Sequence, residues 1–187
     1  MSARPTEFAA AQDTLRNLYR IAPEMARVRH AARTVDRDPA DPHRATAWVG
    51  ADEADLLPFV AEHELGGPRG GASPADMLCA ALAASQDSAL RLAAARHGVR
   101  IAALGVEVSG WTDVRGVLAI DREVPVGFQT LLSTVRLEVA AGTDPEAVQR
   151  MLADAERTCI VLATLRRAMS VYIRIQHNAQ APLALAA

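Results

Sequence analysis

Apolar residues recur along this chain with two different periods, and the switches between them mark the elements. From Thr6 to Ile21, the residues Phe8, Leu15, Leu18 and Tyr19 form a partial stripe at helical spacing, and Pro23 follows as a stop. Three extended stretches come next. Ala26 to Val35 alternates imperfectly, His43 to Val49 alternates better and ends at Gly50, and Phe59 to Leu65 runs into glycines. Between the first two, Asp36 to Pro42 reads as a hairpin loop or a wide turn, because it holds prolines and aspartates.

The strongest punctuation is GGPRGGASP, residues 66–74. Ser73 followed by Pro74 has the form of an N-cap with proline at the first helical position, and Asp76 puts a negative charge in the first turn, where the helix dipole favours it. The helix then runs to about His97 and stops at Gly98. Its early turns, MLCAALAA, are apolar on all sides and predict burial on all sides; from Gln86 onward a polar face appears with Asp87, Arg91 and Arg96.

Beyond it, Ile101 to Gly110 places Leu104, Val106 and Val108 on one face of a strand. Trp111 to Ile120 reads as a second strand with a bulge at Gly116, and Gln129 to Ala140 alternates Leu131, Ser133, Val135, Leu137 and Val139. Val124 to Phe128 is a turn. Thr143 or Asp144 caps a further helix carrying Val148, Met151, Leu152 and Ala155. Apolar spacing continues through Cys159, Leu162 and Leu165 to Met169, as one helix or a pair, and Ser170 to Gln176 alternates cleanly as a last strand. The order, β-β-β, long helix, β-β-β, helix or helix pair, β, predicts an α+β fold of antiparallel meanders with helices on one face. It divides into a helical arm at 1–25, a domain at 26–177 and a tail at 178–187.

Composition narrows the function classes. Half of the 187 residues are apolar and the net charge is −2, so there is no global basic field and nucleic acid is not an expected partner. Arg27, Arg29, His30, Arg33 and Arg37 do cluster; they read as strand and loop charges or as a local anion site. The first residues, MSARPTEFAAAQDTL, do not have the form of a secretory signal, and no apolar stretch is long enough to span a bilayer, so no membrane partner is expected. Two cysteines, Cys79 and Cys159, make no disulfide framework and fit a reducing cytoplasm. The five histidines lack metal-ligand spacing, GGPRGG lacks the Gly-Lys-Ser/Thr ending of a phosphate loop, and neither a metal nor a cofactor is implied. Trp48 and Trp111 read as core or interface anchors, and Asp113 with Arg115 as exposed strand charges.

Two segments carry a resemblance. GGPRGGASPADMLCAALAAS resembles the Gly-x-Ser/Asn-Pro-x-(Asp/Glu)-x-Leu-x-x-Ala-x-x-x-Cys signature of the OsmC/Ohr family, and AERTCIVLATLRRAMSVYI resembles that family's second, Ala-Glu-x-x-Cys-Pro-Val signature. GVEVSGWTDVRG and VGFQTLLSTVRLEV are similar to the strands between them, and the match spans roughly Arg27 to Gln176. The resemblance implies an intertwined two-fold homodimer around a long buried central helix. It also implies an oxidative-stress function: reduction of small organic hydroperoxides by a peroxidatic cysteine, a resolving cysteine, an arginine and an acid, with a dithiol as reductant. Carried over, the resolving cysteine is Cys159, the acid is Asp76 (with Ala75 as the other alignment), the arginine is Arg29 or Arg33, and the peroxidatic position is Ser85. Ile160 replaces the proline that follows the second cysteine.

Serine at 85 changes the chemistry. Peroxide reduction needs a thiolate, and an alkyl hydroxyl neither ionises near neutral pH nor forms a sulfenic acid. Ser85 therefore reads either as a small residue bonded back to the carbonyl one turn earlier or as a nucleophile without a visible base, since neither His97 nor His63 supports a triad. Cys79, six residues before it, faces roughly 120° away and about 9 Å along the helix, so it reads as a buried hydrophobic thiol out of disulfide reach of Cys159. Cys159 itself is a core passenger or a reactive thiol beside Arg157 and Arg166. Three functions follow as expectations: a hydroperoxide reductase relative with activity lost or weakened, a non-catalytic dimer holding a small hydrophobic or acidic molecule in the same cleft, and an enzyme using Cys159 alone with an external thiol.

Overall fold

A computed structural model describes residues 5–35, 38, 40–50, 55–167, 169–173 and 175. Arg37 and the tail at 177–187 lie outside the described residues. The chain opens with helix α1 (Pro5–Ile21), followed by a single 3-10 turn at Pro23–Ala26. Proline begins that turn because its fixed φ and missing N–H suit a first helical position. The apolar stripe on α1 is only thinly covered: α1 touches the long helix, yet Leu15, Leu18 and Ile21 remain exposed.

Strands β1 (Ala32–Val35), β2 (Arg44–Val49) and β3 (Asp55–Val60) form an antiparallel sheet in that order, with Trp48 between Arg33 and Leu56. Two boundaries differ from the pattern. The first strand begins at Ala32 rather than Ala26, because Arg27 to Ala31 follow the 3-10 turn with no regular pairing. The third lies upstream of its expected place, and His63–Leu65 is a 3-10 turn. Pro58 lies within β3, an edge strand, where one missing N–H costs little.

Helix α2 (Pro74–His97) matches its expected ends. The Ser73 hydroxyl accepts from the Asp76 N–H at 3.2 Å, while the Asp76 carboxylate accepts from the Ser73 N–H at 2.9 Å and from its hydroxyl at 3.0 Å, a complete capping box. Gly98 closes the helix at φ 67, a left-handed conformation that disfavours side chains with a Cβ. The expectation of burial on every side is not met by the single chain. Leu82, Ala89, Leu90, Ala93 and Ala94 are buried, but Ala80, Ala81, Ala84 and Ser88 lie open on another face.

Strands β4 (Ile101–Trp111) and β5 (Thr130–Val139) pair antiparallel, with Val106 opposite Val135 and Val108 opposite Ser133. No third strand lies between them. Asp113 instead caps a one-turn helix, α3 (Val114–Val117), by accepting from the Arg115 N–H, and pairs with the Arg115 side chain; both belong to a helix start, not to a strand. Gly116 is not a bulge: a Cβ there would come within 2.6 Å of the Val124 carbonyl, so the loop packs on bare backbone. Helix α4 (Pro145–Thr158), capped by Asp144, and helix α5 (Ile160–Leu165) are a pair broken at Cys159. Among the described residues of the expected last strand, Ser170 to Gln176, none is paired; Val171, Tyr172 and Ile173 are exposed.

The core is a sandwich of α2 and α4 on the β4–β5 sheet. Leu82, Leu90, Ala93, Met151 and Ala155 are buried together, with Leu104, Val106, Val108, Leu131, Leu137 and Val139 packed against them from the sheet. Alternation on both strands and 3.6-residue spacing on both helices deliver these side chains to one layer. Among the described residues, no helix is long and apolar enough to cross a membrane.

Candidate functional site

Ser85 follows Leu82 by one helical turn and precedes Ala89 by another, so it lies on the buried stripe of α2. Cys159 ends α4 and begins α5, with a non-helical backbone (φ −73, ψ 110), and is 1% exposed. The two meet: Ser85 Oγ is 3.2 Å from Cys159 Sγ. The same oxygen also accepts from the Val161 N–H at 3.3 Å. The hydroxyl thus reaches across to the α4–α5 junction, where the sequence suggested a bond back along its own helix. The Val161 contact was not legible in sequence, because it depends on how α5 lands on α2.

The other expected site residues lie elsewhere. Asp76 caps the start of α2, nine residues before Ser85, and lines a cavity of about 460 Å³ with Cys79, Glu62, His63, Val108 and Phe128. Burial, and then the negative charge of Asp76, push the Cys79 thiol above its ordinary range. Both cysteines are free. Arg29 is exposed in the segment before β1, and Arg33 is exposed on β1 opposite Trp48. Arg157 and Arg166 do not serve Cys159: they pair with Asp154 and Glu156 respectively. Trp48 is half-buried, whereas Trp111 is 74% exposed and anchors nothing within the chain.

Two further features escaped the sequence reading. A cavity of about 220 Å³, mostly apolar, opens among Leu90, Val135, Leu152, Ala155 and Leu162, with Gln86 and Glu156 as its polar residues. Gln86 Oε1 accepts from the Ser133 hydroxyl at 2.5 Å, tying α2 to β5 directly beside Ser85. The second is a charge cluster. The Asp154 carboxylate on α4 accepts from Arg96 at 2.7 Å and lies 3.3 Å from His97 Nε2, both on the last turn of α2, and accepts from Arg157 at 2.9 Å. Burial pushes the Asp154 carboxyl up, but the hydrogen bonds from Arg157 and Arg96, the Arg96 charge and the His97 contact outweigh it and hold the group below the ordinary carboxylate range. The sequence hint was Asp154 flanked by Met151 and Ala155 on the buried side of an amphipathic helix. Among the described residues, no group of three or more His, Cys, Asp or Glu side chains could hold a metal.

A family model described as OsmC-like protein matches residues 66–174. None of the functionally curated proteins matches the sequence significantly. Solved structures share the architecture. An OsmC-like protein of unknown function from Vibrio cholerae superposes with a TM-score of 0.60 at 11% identity, over 74% of this chain and 94% of the other. An OsmC-like protein from Mycoplasma pneumoniae gives 0.58 at 14% identity, over 74% and 88%. An organic hydroperoxide resistance protein from Elizabethkingia anophelis gives 0.53 at 17% identity, over 75% and 89%. At these identities the likeness is one of fold.

Proposed function

This chain belongs to the OsmC-like family, and from that premise we propose that it is a relative of thiol-dependent hydroperoxide reductases in which peroxide reduction is lost or greatly weakened. One observation carries the reading. Ser85 and Cys159, which fall in the two segments resembling the family signatures, meet at 3.2 Å, as a peroxidatic and a resolving residue must. In a reductase cycle, a thiolate at position 85 would attack the outer peroxide oxygen, release an alcohol and become a sulfenic acid. The second thiol would then displace water to form a disulfide, which an external dithiol reduces. Oxygen at position 85 stops the cycle at its first step. Cys159 remains, but it is buried, and Arg157 and Arg166 pair with Asp154 and Glu156 instead.

The protein acts as a homodimer in this reading. The open alanine face of α2, with Ala80, Ala81 and Ala84, and the unpaired apolar segment at Val171 to Ile173 are the surfaces a second copy would cover. In this reading Arg29 or Arg33, together with Asp76, completes the site around the Ser85–Cys159 pair. Consumption of cumene hydroperoxide with a dithiol tests the proposal. The parent protein is expected to show no turnover above the uncatalysed rate, and Ser85→Cys is expected to install it. Family-level turnover in the parent overturns the reading, and an inert Ser85→Cys dimer argues that the site has been rebuilt.

The apolar cavity beside the pair favours a second reading, a non-catalytic dimer that holds a small hydrophobic molecule. Its volume of about 220 Å³ accommodates a compact ligand, with Gln86 or Glu156 as the polar contact. Calorimetric titration with short-chain alcohols and acids distinguishes the two: saturable binding in a protein that stays inert after Ser85→Cys supports the second.

A further inference from the structure

We propose that α5 is a hinged lid over the Cys159 thiol and that the Ser85 hydroxyl is the pin that holds it shut. The device has three parts. The first is an anchor. Met151 and Ala155 bury one face of α4 against α2, and at the edge of that face Asp154 is gripped by Arg96 and His97 from α2 and by Arg157 from α4. The Arg96 and Asp154 side chains are both largely shielded from water, so this grip is less screened than a surface pair.

The second part is a hinge. The helix stops at Cys159, whose extended backbone separates α4 from α5, and no residue of α5 fills the core. Cys159, the N-cap residue of α5, makes no side-chain capping bond of its own, and Ile160 is 68% exposed. A six-residue helix with no cap bond from its own N-cap residue and no buried residue has little of its own to hold it in place. Val161 and Leu162 pack only partly against the core.

The third part is the pin. Ser85 Oγ takes the otherwise orphaned Val161 N–H in the first turn of α5, and the same hydroxyl lies against Cys159 Sγ. One small polar atom therefore ties the lid and covers the thiol together. With the pin in place the thiol is shut away from any reagent; with the lid raised about Cys159, the thiol faces solvent while α4 stays anchored. The lid sets access to Cys159 whatever reaction or ligand the site serves.

The test uses the full-length protein carrying Cys79→Ser, so that Cys159 is the single thiol. Iodoacetamide labelling of Cys159 in Ser85→Ala is expected to run about five- to ten-fold faster than in the Ser85 parent, the effect of losing one partly buried hydrogen bond from the closed state. Amide exchange is expected to quicken across residues 160–165 and to stay unchanged across 150–157. Labelling at the parent's rate overturns the proposal. So does exchange that quickens equally in α4 and α5, because the helices would then open as one unit without a hinge. If Ser85→Ala does not fold, the parent alone decides: α5 amides must exchange faster than α4 amides, and labelling must stay fast relative to global unfolding in low denaturant. None of these readouts involves a hydroperoxide, so they stand or fall separately from the reductase reading.

Discussion

The two halves of α2 are both rich in alanine and have opposite surroundings. From Pro74 to Ala84 the helix is alanine-rich, yet Leu82 is its one buried residue, the capping box sits in front of it, and the cavity with Cys79 lies along it. From Ser85 to His97 the helix is again alanine-rich, but Ala89, Leu90, Ala93 and Ala94 are buried under α4 and the sheet, and the last turn is clamped to Asp154. An alanine stripe therefore tells how closely a neighbour can approach, not whether one is there. Ser85 lies at the junction, where the covered half begins. That position is why its hydroxyl finds partners from another element.

The largest effect expected from this contrast comes from placing the same charge in each half. Ala93→Glu buries an unpaired carboxylate under α4 and should cost at least about 4 kcal/mol, enough to unfold the chain. Ala84→Glu, on the open face, should change the stability of a single chain by no more than about 0.5 kcal/mol. Its effect should appear instead in assembly, as a shift to monomer in sedimentation. Equal losses of stability by urea titration would break the comparison.

Next in size is the clamp. Asp154→Asn should cost about 1 to 2 kcal/mol near neutral pH, because it removes the charge from three donors at once. The Asp154 carboxyl titrates lower in the folded chain than in the unfolded one. Its contribution is therefore complete above the unfolded value, about 4, and drains away as pH falls through the lower folded value. Urea midpoints should converge between parent and variant toward pH 2, and a constant gap across the acid range would refute the assignment.

On the open half, Ser73→Ala should cost about 1 kcal/mol through the lost capping box, with urea midpoint as the measure. The smallest effect concerns Cys79. Its raised titration predicts slow alkylation at pH 7.5 that accelerates only at higher pH than for an ordinary thiol. Asp76→Asn should move that profile down by less than exposing the thiol would, since the carboxylate charge is the lesser cause after burial. A profile that does not move would mean that burial alone sets it.

Where local signals agree, the pattern of residues sufficed. The ends of α2 were legible because Ser73, Pro74, Asp76 and Gly98 each act within one turn of backbone. Strands β4 and β5 were legible because alternation over ten residues has few competing explanations. The failures share a cause as well. A strand through Trp111 to Ile120 looked plausible until Asp113 found the Arg115 N–H, and the third strand was expected at Phe59 to Leu65 because nothing local says that Asp55 to Val60 is an edge strand.

By itself, the sequence determined the fold class, the long capped helix and the two residues worth pairing, Ser85 and Cys159. The fold class and the helix follow from periodicity and capping, which act over short stretches of chain, and the pair follows from the resemblance of two segments to the family signatures. Only the tertiary structure decided which face of α2 is covered, that Asp76 and Cys79 share a cavity away from the Ser85–Cys159 pair, and that the Ser85 hydroxyl holds both a sulfur and a backbone N–H. Those facts depend on where two elements more than seventy residues apart come to rest against each other, and that is set by the packing of a whole layer rather than by any local preference.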